Sequence, residues 1–265
     1  MLDREGWLAR TLIELADTGT AEFDEADYAR VFTVRLAQPL SPDEVSLFIP
    51  ADGDNRDWPA VTAGSSERAV AFARLEARGV AGPCGDCRRI GHPVHAEFIA
   101  SPSPGRASPS ATDRWPEYAS AAVAGGFAAI SALPMRHHEQ TIGAVGVLSV
   151  ANQPLDVWQS RLARLLSEAA TISILQQRAF QESLRTTRQL QRALDSRIVI
   201  EQAKGAVAAW LDISTSDAFE LLRAYSRNRG RRVAEVADDV LRGELPASGL
   251  ILLAQAAPRR VTSAR

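Results

Sequence analysis

Residues 155–204 read LDVWQSRLARLLSEAATISILQQRAFQESLRTTRQLQRALDSRIVIEQAK, fifty positions without a glycine or a proline. Leu, Ala, Gln, Glu and Arg dominate, and all are strong helix formers, so the stretch is expected to form one long helix or two nearly continuous ones. Apolar residues recur at Leu162, Leu165, Ala169 and Ile172. They return in a shifted frame at Phe180, Leu184, Leu194 and Ile198, with the phase change near Gln176 and Gln177. Steps alternating between three and four trace one helical stripe. With little else to cover it, such a stripe is expected to meet a second copy of itself in a parallel homodimer. The alternative cover is the chain's own first helix.

Upstream of this helix the chain reads as α plus β. Trp7–Ala16 and Ala26–Ala37 carry helical periodicity, and Val45–Ile49 reads as a strand ending in the turn-rich Asp52-Gly53-Asp54-Asn55. Ser66–Arg78 is expected to be helical and Val94–Ile99 extended. Ser101–Asp113 is rich in Ser, Pro and Gly and reads as a loop, and Arg114–Val123 as a helix. Two apolar strands, Ala128–Met135 and Thr141–Val150, flank the polar turn Arg136–Gln140, a spacing that suits an antiparallel hairpin.

Downstream, roughly Ala193–Leu245 reads as three helices. The long helix runs to Leu211, and Ser214 is a natural N-cap with Asp217 as the acidic half of a capping-box-like pair. Ala218, Leu221, Leu222 and Tyr225 form the apolar face of the second helix, which Gly230 breaks. Val233, Val236, Ala237, Val240 and Leu241 form that of the third. Tyr225 is read as core because it continues this stripe.

The 265 residues are 46% hydrophobic and 23% charged, with a formal net charge of -2, an ordinary globular composition that excludes collagen-like, disordered and disulfide-scaffold classes. Apolar runs near either end fall far short of the roughly 20 residues of a membrane span. The opening Met1-Leu2-Asp3-Arg4-Glu5 carries no secretory signature, so a cytoplasmic location without membrane attachment is expected. Of the 30 basic residues, Lys204 is the one lysine. In a chain that otherwise uses arginine throughout, that position stands out.

Arginines 223, 227, 229, 231 and 232 fall within ten residues that hold no acid. Arginine forks suit phosphate oxygens and base edges, whereas a solvated inter-helix turn would also tolerate them; charge alone leaves both open. Arg197, Glu201 and Lys204 share the outward face of the preceding helix. Gly205, in mid-helix, costs roughly 1 kcal/mol relative to alanine, and close approach of a neighbouring helix is its expected reason. Cys84-x-x-Cys87, with His92 and His95, admits a Cys2His2 metal reading, a dithiol redox reading or a plain structural one, and the tight spacing disfavours the metal. His137 and His138 are expected to be exposed in the hairpin turn. No nucleophile triad, carboxylate pair or phosphate-cradling loop is present, so no catalytic residue, metal or cofactor is assigned and no enzyme is expected.

Three segments in order carry a resemblance: Arg197-Ile198-Val199-Ile200-Glu201-Gln202-Ala203-Lys204-Gly205, Asp217-Ala218-Phe219-Glu220-Leu221-Leu222-Arg223 and Arg231-Arg232-Val233-Ala234-Glu235-Val236-Ala237. Together they resemble the ANTAR domain, a bacterial RNA-binding module. Where that family ends its first helix with Gly, this chain has Asp212, one of the few other residues that visit the left-handed region. Gly82-Pro83-Cys84, Gly91-His92-Pro93-Val94, Asp113-Arg114-Trp115-Pro116 and Gly143-Ala144-Val145-Gly146-Val147-Leu148 resemble a GAF sensor domain, with residues 101–112 as an insertion.

The resemblance implies an α+β chain. A GAF-like antiparallel sheet flanked by helices would occupy 1–154, a coiled-coil-like dimerising helix 155–195, an ANTAR three-helix bundle 196–245 and a tail 246–265. It implies a signal-responsive homodimer that takes an unidentified small molecule in its GAF domain, binds paired RNA stem-loops and prevents a transcription terminator from forming. The contacts expected are Arg197, Lys204, Arg223, Arg227, Arg231 and Arg232. A DNA-binding regulator and a thiol-based redox GAF protein are the alternatives; Glu235, Asp238 and Asp239 make the third helix a poor fit to a major groove.

Overall fold

The apolar run Gly143–Leu148 has helices to bury on both of its faces, and it becomes the middle of a sheet. The computed structural model describes residues 4–17, 23–51, 60–98, 111–246 and 249–250. Among them, strands β1 (Glu44–Ile49), β2 (Val61–Gly64), β3 (Val94–Glu97), β4 (Ala129–His137) and β5 (Gln140–Ser149) form one sheet in the order β2-β1-β5-β4-β3. Every pairing is antiparallel, and the β4–β5 hairpin runs from Ala129 opposite Ser149 to His137 opposite Gln140, with a one-residue register shift between Met135 and Arg136.

Side chains alternate across the sheet and define two cores. On one face Val45, Leu47, Val145 and Val147 pack with Leu15 of α1 (Arg4–Ala16) and with Phe32 and Leu36 of α2 (Glu25–Leu40). The start of α7 (Val157–Leu211) closes that face with Leu162, Leu166, Ala170 and Ile174. On the other face Ile130, Ala144 and Leu148 meet Phe72 of α3 (Glu67–Ala77), Cys84 and Cys87 of α4 (Pro83–Ile90) and Tyr118 of α6 (Pro116–Ala124). Gly146 is needed here, since a Cβ would stand 2.9 Å from Cys84 Sγ and 2.7 Å from Ser46 Oγ. The chain divides after Phe180 into two compact units; α8 (Thr215–Arg229) and α9 (Val233–Leu241) belong to the second.

Several expectations are met closely. Ser66 is the N-cap of α3, accepting the N–H of Ala69, and Arg78 is its C-cap. The long helix is a single element that ends at Leu211.

Others need correction. β2 is a four-residue edge strand, too short for a period to show. α4 hides in a segment that reads as turns: Pro83 sits at its first position, where a missing N–H costs nothing, and Gly91 ends it with φ +69°. Ala111–Asp113 are not loop but most of α5 (Ala111–Arg114), anchored by the buried Ala111. Residues 101–110 of that expected loop, the turn Asp52–Asn55, Ile99 and the tail beyond 250 lie outside the described residues. In α7 the buried face passes through Leu162, Leu166, Ala170, Ser173 and Gln177, not through Leu165, which is exposed. That face is about one residue, 100° of helix, away from the hydrophobic stripe. Polar Ser167, Thr171, Ser173 and Gln177 lie on the buried side, and Thr171 Oγ1 donates to the Ser167 carbonyl at 2.6 Å, so that hydroxyl is buried at little cost.

Candidate nucleic-acid interface

The second unit is built around Ala203 and Val207 of α7, Ala218 and Leu222 of α8, and Val236 and Val240 of α9. Each corner has a chemical cause. α7 ends where Asp212 takes φ +50°, a left-handed conformation that aspartate tolerates. Ser214 Oγ accepts the N–H of Asp217 at 3.0 Å and donates to its carboxylate at 2.7 Å, so the acid holds the hydroxyl rather than reaching back to the backbone. α8 stops at Gly230 with φ +63°, and the Ser226 hydroxyl donates to the Arg231 carbonyl across the corner.

On this frame the six expected contact residues take different positions. Phe219, Arg223 and Arg227 follow one another at four-residue steps on α8, away from Ala218 and Leu222 in the core. The Lys204 ammonium lies 5.4 Å from the Phe219 ring centroid and 2.9 Å from Glu201 Oε2. Lys204, Phe219, Arg223 and Arg227 thus form one group spanning α7 and α8. Arg223 reaches Glu220 at 3.8 Å, and Arg197 is exposed two turns upstream of Lys204. Among the described residues, Arg197 and Arg227 meet no carboxylate.

Arg231 and Arg232 stand apart from this group, at the corner before α9. Arg231 is held by Asp239 at 2.6 Å and by Glu235 at 3.7 Å, while Arg232 is 89% exposed with Glu235 4.0 Å away. The Arg231 hydrogen bond keeps the Asp239 carboxyl below the usual carboxylate range, and the same bond raises Arg231.

Sequence reasoning missed two things here. The acids Glu235 and Asp239 were visible in the sequence, but not that both pair with Arg231, one and two turns along the chain. Phe219 carried a readable signal, an aromatic residue four positions before Arg223 and off the apolar stripe. Tyr225 packs against the core as expected, with the Arg229 guanidinium 5.7 Å from its ring centroid. Gly205 corrects its expectation: it is exposed, and an added Cβ would meet nothing within 4 Å, so no neighbouring helix explains it.

In the first unit, α4 turns both thiols into the core, while His92 and His95 face outward. His95 Nδ1 lies 3.1 Å from Ser131 Oγ. The four residues do not converge, and among the described residues no group of three or more His, Cys, Asp or Glu is placed to hold a metal. Burial pushes the Cys84 thiol well up and the Cys87 thiol up to about 12. Beside them the buried Glu76 carboxylate accepts the N–H groups of Cys84 at 3.1 Å and Gly85 at 2.6 Å. Burial outweighs those bonds and raises it to about 7. His138 is exposed, but His137 is half-buried with its Nδ1 enclosed, because β4 continues through it rather than turning before it. A cleft of about 420 Å³ opens beside α3 and α6, lined by Arg68, Phe72, Arg74, Leu75, Arg78 and Ala121.

Residues 24–174 match the GAF domain family and residues 188–241 match the ANTAR domain family. The chain is a GAF–ANTAR protein. The GAF match alone covers more than half of its length, and the ANTAR match contains all six cations described above. A GAF domain ahead of an ANTAR domain makes this a sensor-regulated RNA-binding regulator of the antitermination class. Among solved structures the GAF–ANTAR chain is similar to a bacteriophytochrome from R. palustris at 12% identity and a TM-score of 0.48, covering 76% of this chain and 43% of that one. It is also similar to the GAF domain of a phosphoenolpyruvate-protein phosphotransferase from Acinetobacter, at 14% identity and a TM-score of 0.45, covering 68% and 96%. The corresponding Coxiella burnetii domain gives 15% identity, a TM-score of 0.43 and coverages of 68% and 99%. The comparison with curated proteins gives no match. Among the described residues no helix is long and apolar enough to cross a membrane.

Proposed function

We propose that this GAF–ANTAR protein is a cytoplasmic homodimer that binds two RNA stem-loops and so prevents a terminator from forming, under control of a small molecule taken by its GAF domain. The observation that carries the reading is the group Lys204, Phe219, Arg223 and Arg227, gathered inside the ANTAR match on the side of α8 turned away from the core. Arg197, Arg231 and Arg232 extend the contact set, the last two from the corner before α9. Sequence-specific RNA recognition targets unpaired loops, whose splayed bases are read while phosphates are anchored by cations.

Dimerisation is supported by α7. Phe180, Leu194 and Ile198 are each more than half exposed in the single chain, and with Leu184 they fall on one seam of alternating four- and three-residue steps whose middle positions are the polar Thr187 and Gln191. The function is read as binding rather than catalysis, since the two thiols are buried and raised rather than exposed and activated. The acids of α9 argue against a reader of duplex DNA.

Filter binding tests this directly, comparing RNA with two tandem stem-loops, the same RNA with one loop scrambled, and duplex DNA. The double stem-loop RNA is expected to bind most tightly. Lys204→Ala, and Arg223→Ala combined with Arg227→Ala, are expected to weaken it and to lower the salt slope by about one for each phosphate contact removed. Equal affinity for all three nucleic acids overturns the reading; unchanged affinity in the variants overturns the face.

A further inference from the structure

Phe219 is a large apolar side chain on the polar side of its helix. Its neighbours toward the core, Ala218 and Leu222, are fully buried, and Leu221 and Tyr225 pack on the same cluster, yet among the described residues Phe219 is outside that cluster. Half-buried, it has the Lys204 ammonium over its ring at 5.4 Å and Arg223 one turn further along α8. An aromatic ring outside the core cluster, with one cation over its face and a second one turn along the helix, has the chemistry of a nucleobase platform. Every base offers a π-face, and the phosphates on either side of a stacked nucleotide need positive partners.

We propose that Phe219 stacks on one unpaired nucleobase of the bound RNA, with Lys204 and Arg223 on the phosphates flanking it. The assignment rests on the RNA-binding reading above and adds to it the residue that grips a base rather than the backbone. Lys204 keeps its ion pair with Glu201 in the free chain, so the ammonium is already poised over the ring before RNA arrives. Stacking is not a charge contact, and this separates it experimentally from the arginines.

The test uses the full chain and a pool of RNAs with two tandem stem-loops and randomised loops, enriched on the wild-type protein. Phe219→Leu is expected to weaken the enriched RNA about five- to a hundredfold while leaving the slope of log affinity against log salt unchanged. Phe219→Tyr is expected to bind like wild type, and Lys204→Ala to lose about one unit of slope. In the wild-type complex, 5-iodouridine placed along the loop is expected to photocrosslink to Phe219, a readout that does not depend on any variant folding. Crosslinks confined to other residues overturn the proposal, as does a Phe219→Leu protein that binds within twofold of wild type. A wild-type chain that enriches no RNA would instead sink the RNA reading itself, and the stacking role with it.

Discussion

Glu76 binds a proton more tightly in the folded chain than in the unfolded one, because its carboxylate is buried against Cys84, Cys87, Asp86 and Tyr118. Its pKa rises from 4.5 to about 7, so stability is greatest below the lower value and declines as pH climbs through the higher one. The decline is worth roughly 3 kcal/mol at most. Thermal melts between pH 5 and 8 should show it for wild type, and Glu76→Gln should flatten it; identical pH dependences would mean that Glu76 is not the titrating group. Asp212 gives a second test at this scale. At φ +50° it should accept glycine without loss, whereas Asp212→Ala should cost about 1 kcal/mol in a denaturant melt. The Asp212 turn was legible in the sequence, since the residue types that tolerate the left-handed region are few. Glu76 was not: nothing local distinguishes a carboxylate in an exposed helix from one that caps the buried start of α4.

α7 carries two apolar faces. One is pressed on the sheet through Leu162, Leu166, Ala170 and Ile174, and Arg178 adds a bidentate pair to Glu25 of α2 at 2.5 and 3.0 Å. The other, through Phe180, Leu194 and Ile198, is bare in the single chain. Leu194→Glu with Ile198→Glu should therefore yield monomer in sedimentation at micromolar concentration while leaving the helical signal nearly unchanged; a persistent dimer would move the contact elsewhere. Gly205→Ala should raise the melting temperature, by an increment of about 0.5–1 kcal/mol, because the position is helical and open. The length of α7 was readable from the absence of Gly and Pro over fifty residues. Its rotation was not, since Ser167, Thr171, Ser173 and Gln177 occupy the buried side and a hydrophobicity count assigns them outward.

At the scale of the whole molecule, two RNA-binding modules in one dimer gain from each other without any new contact. Tandem stem-loops should bind about 10²–10⁴ times more tightly than a single one, and the dimer-breaking pair in α7 should remove the difference. The ratio of the two affinities, measured on wild type and on that variant, checks it. The candidate surface was legible as far as composition reaches: five arginines in ten residues and one lysine mark the region. Which of them are engaged was not, because Arg231 finds Asp239 only once α9 has folded back across the corner. The buried thiols carry a practical consequence. Cys84 and Cys87 are the two cysteines of the chain, and both lie in the GAF domain. Alkylation by iodoacetamide should proceed only when that domain opens, so labelling rate becomes a built-in clock for its breathing, with no thiol in the ANTAR helices to add to the signal. A ligand that tightens the sensor would slow that clock before any RNA is added.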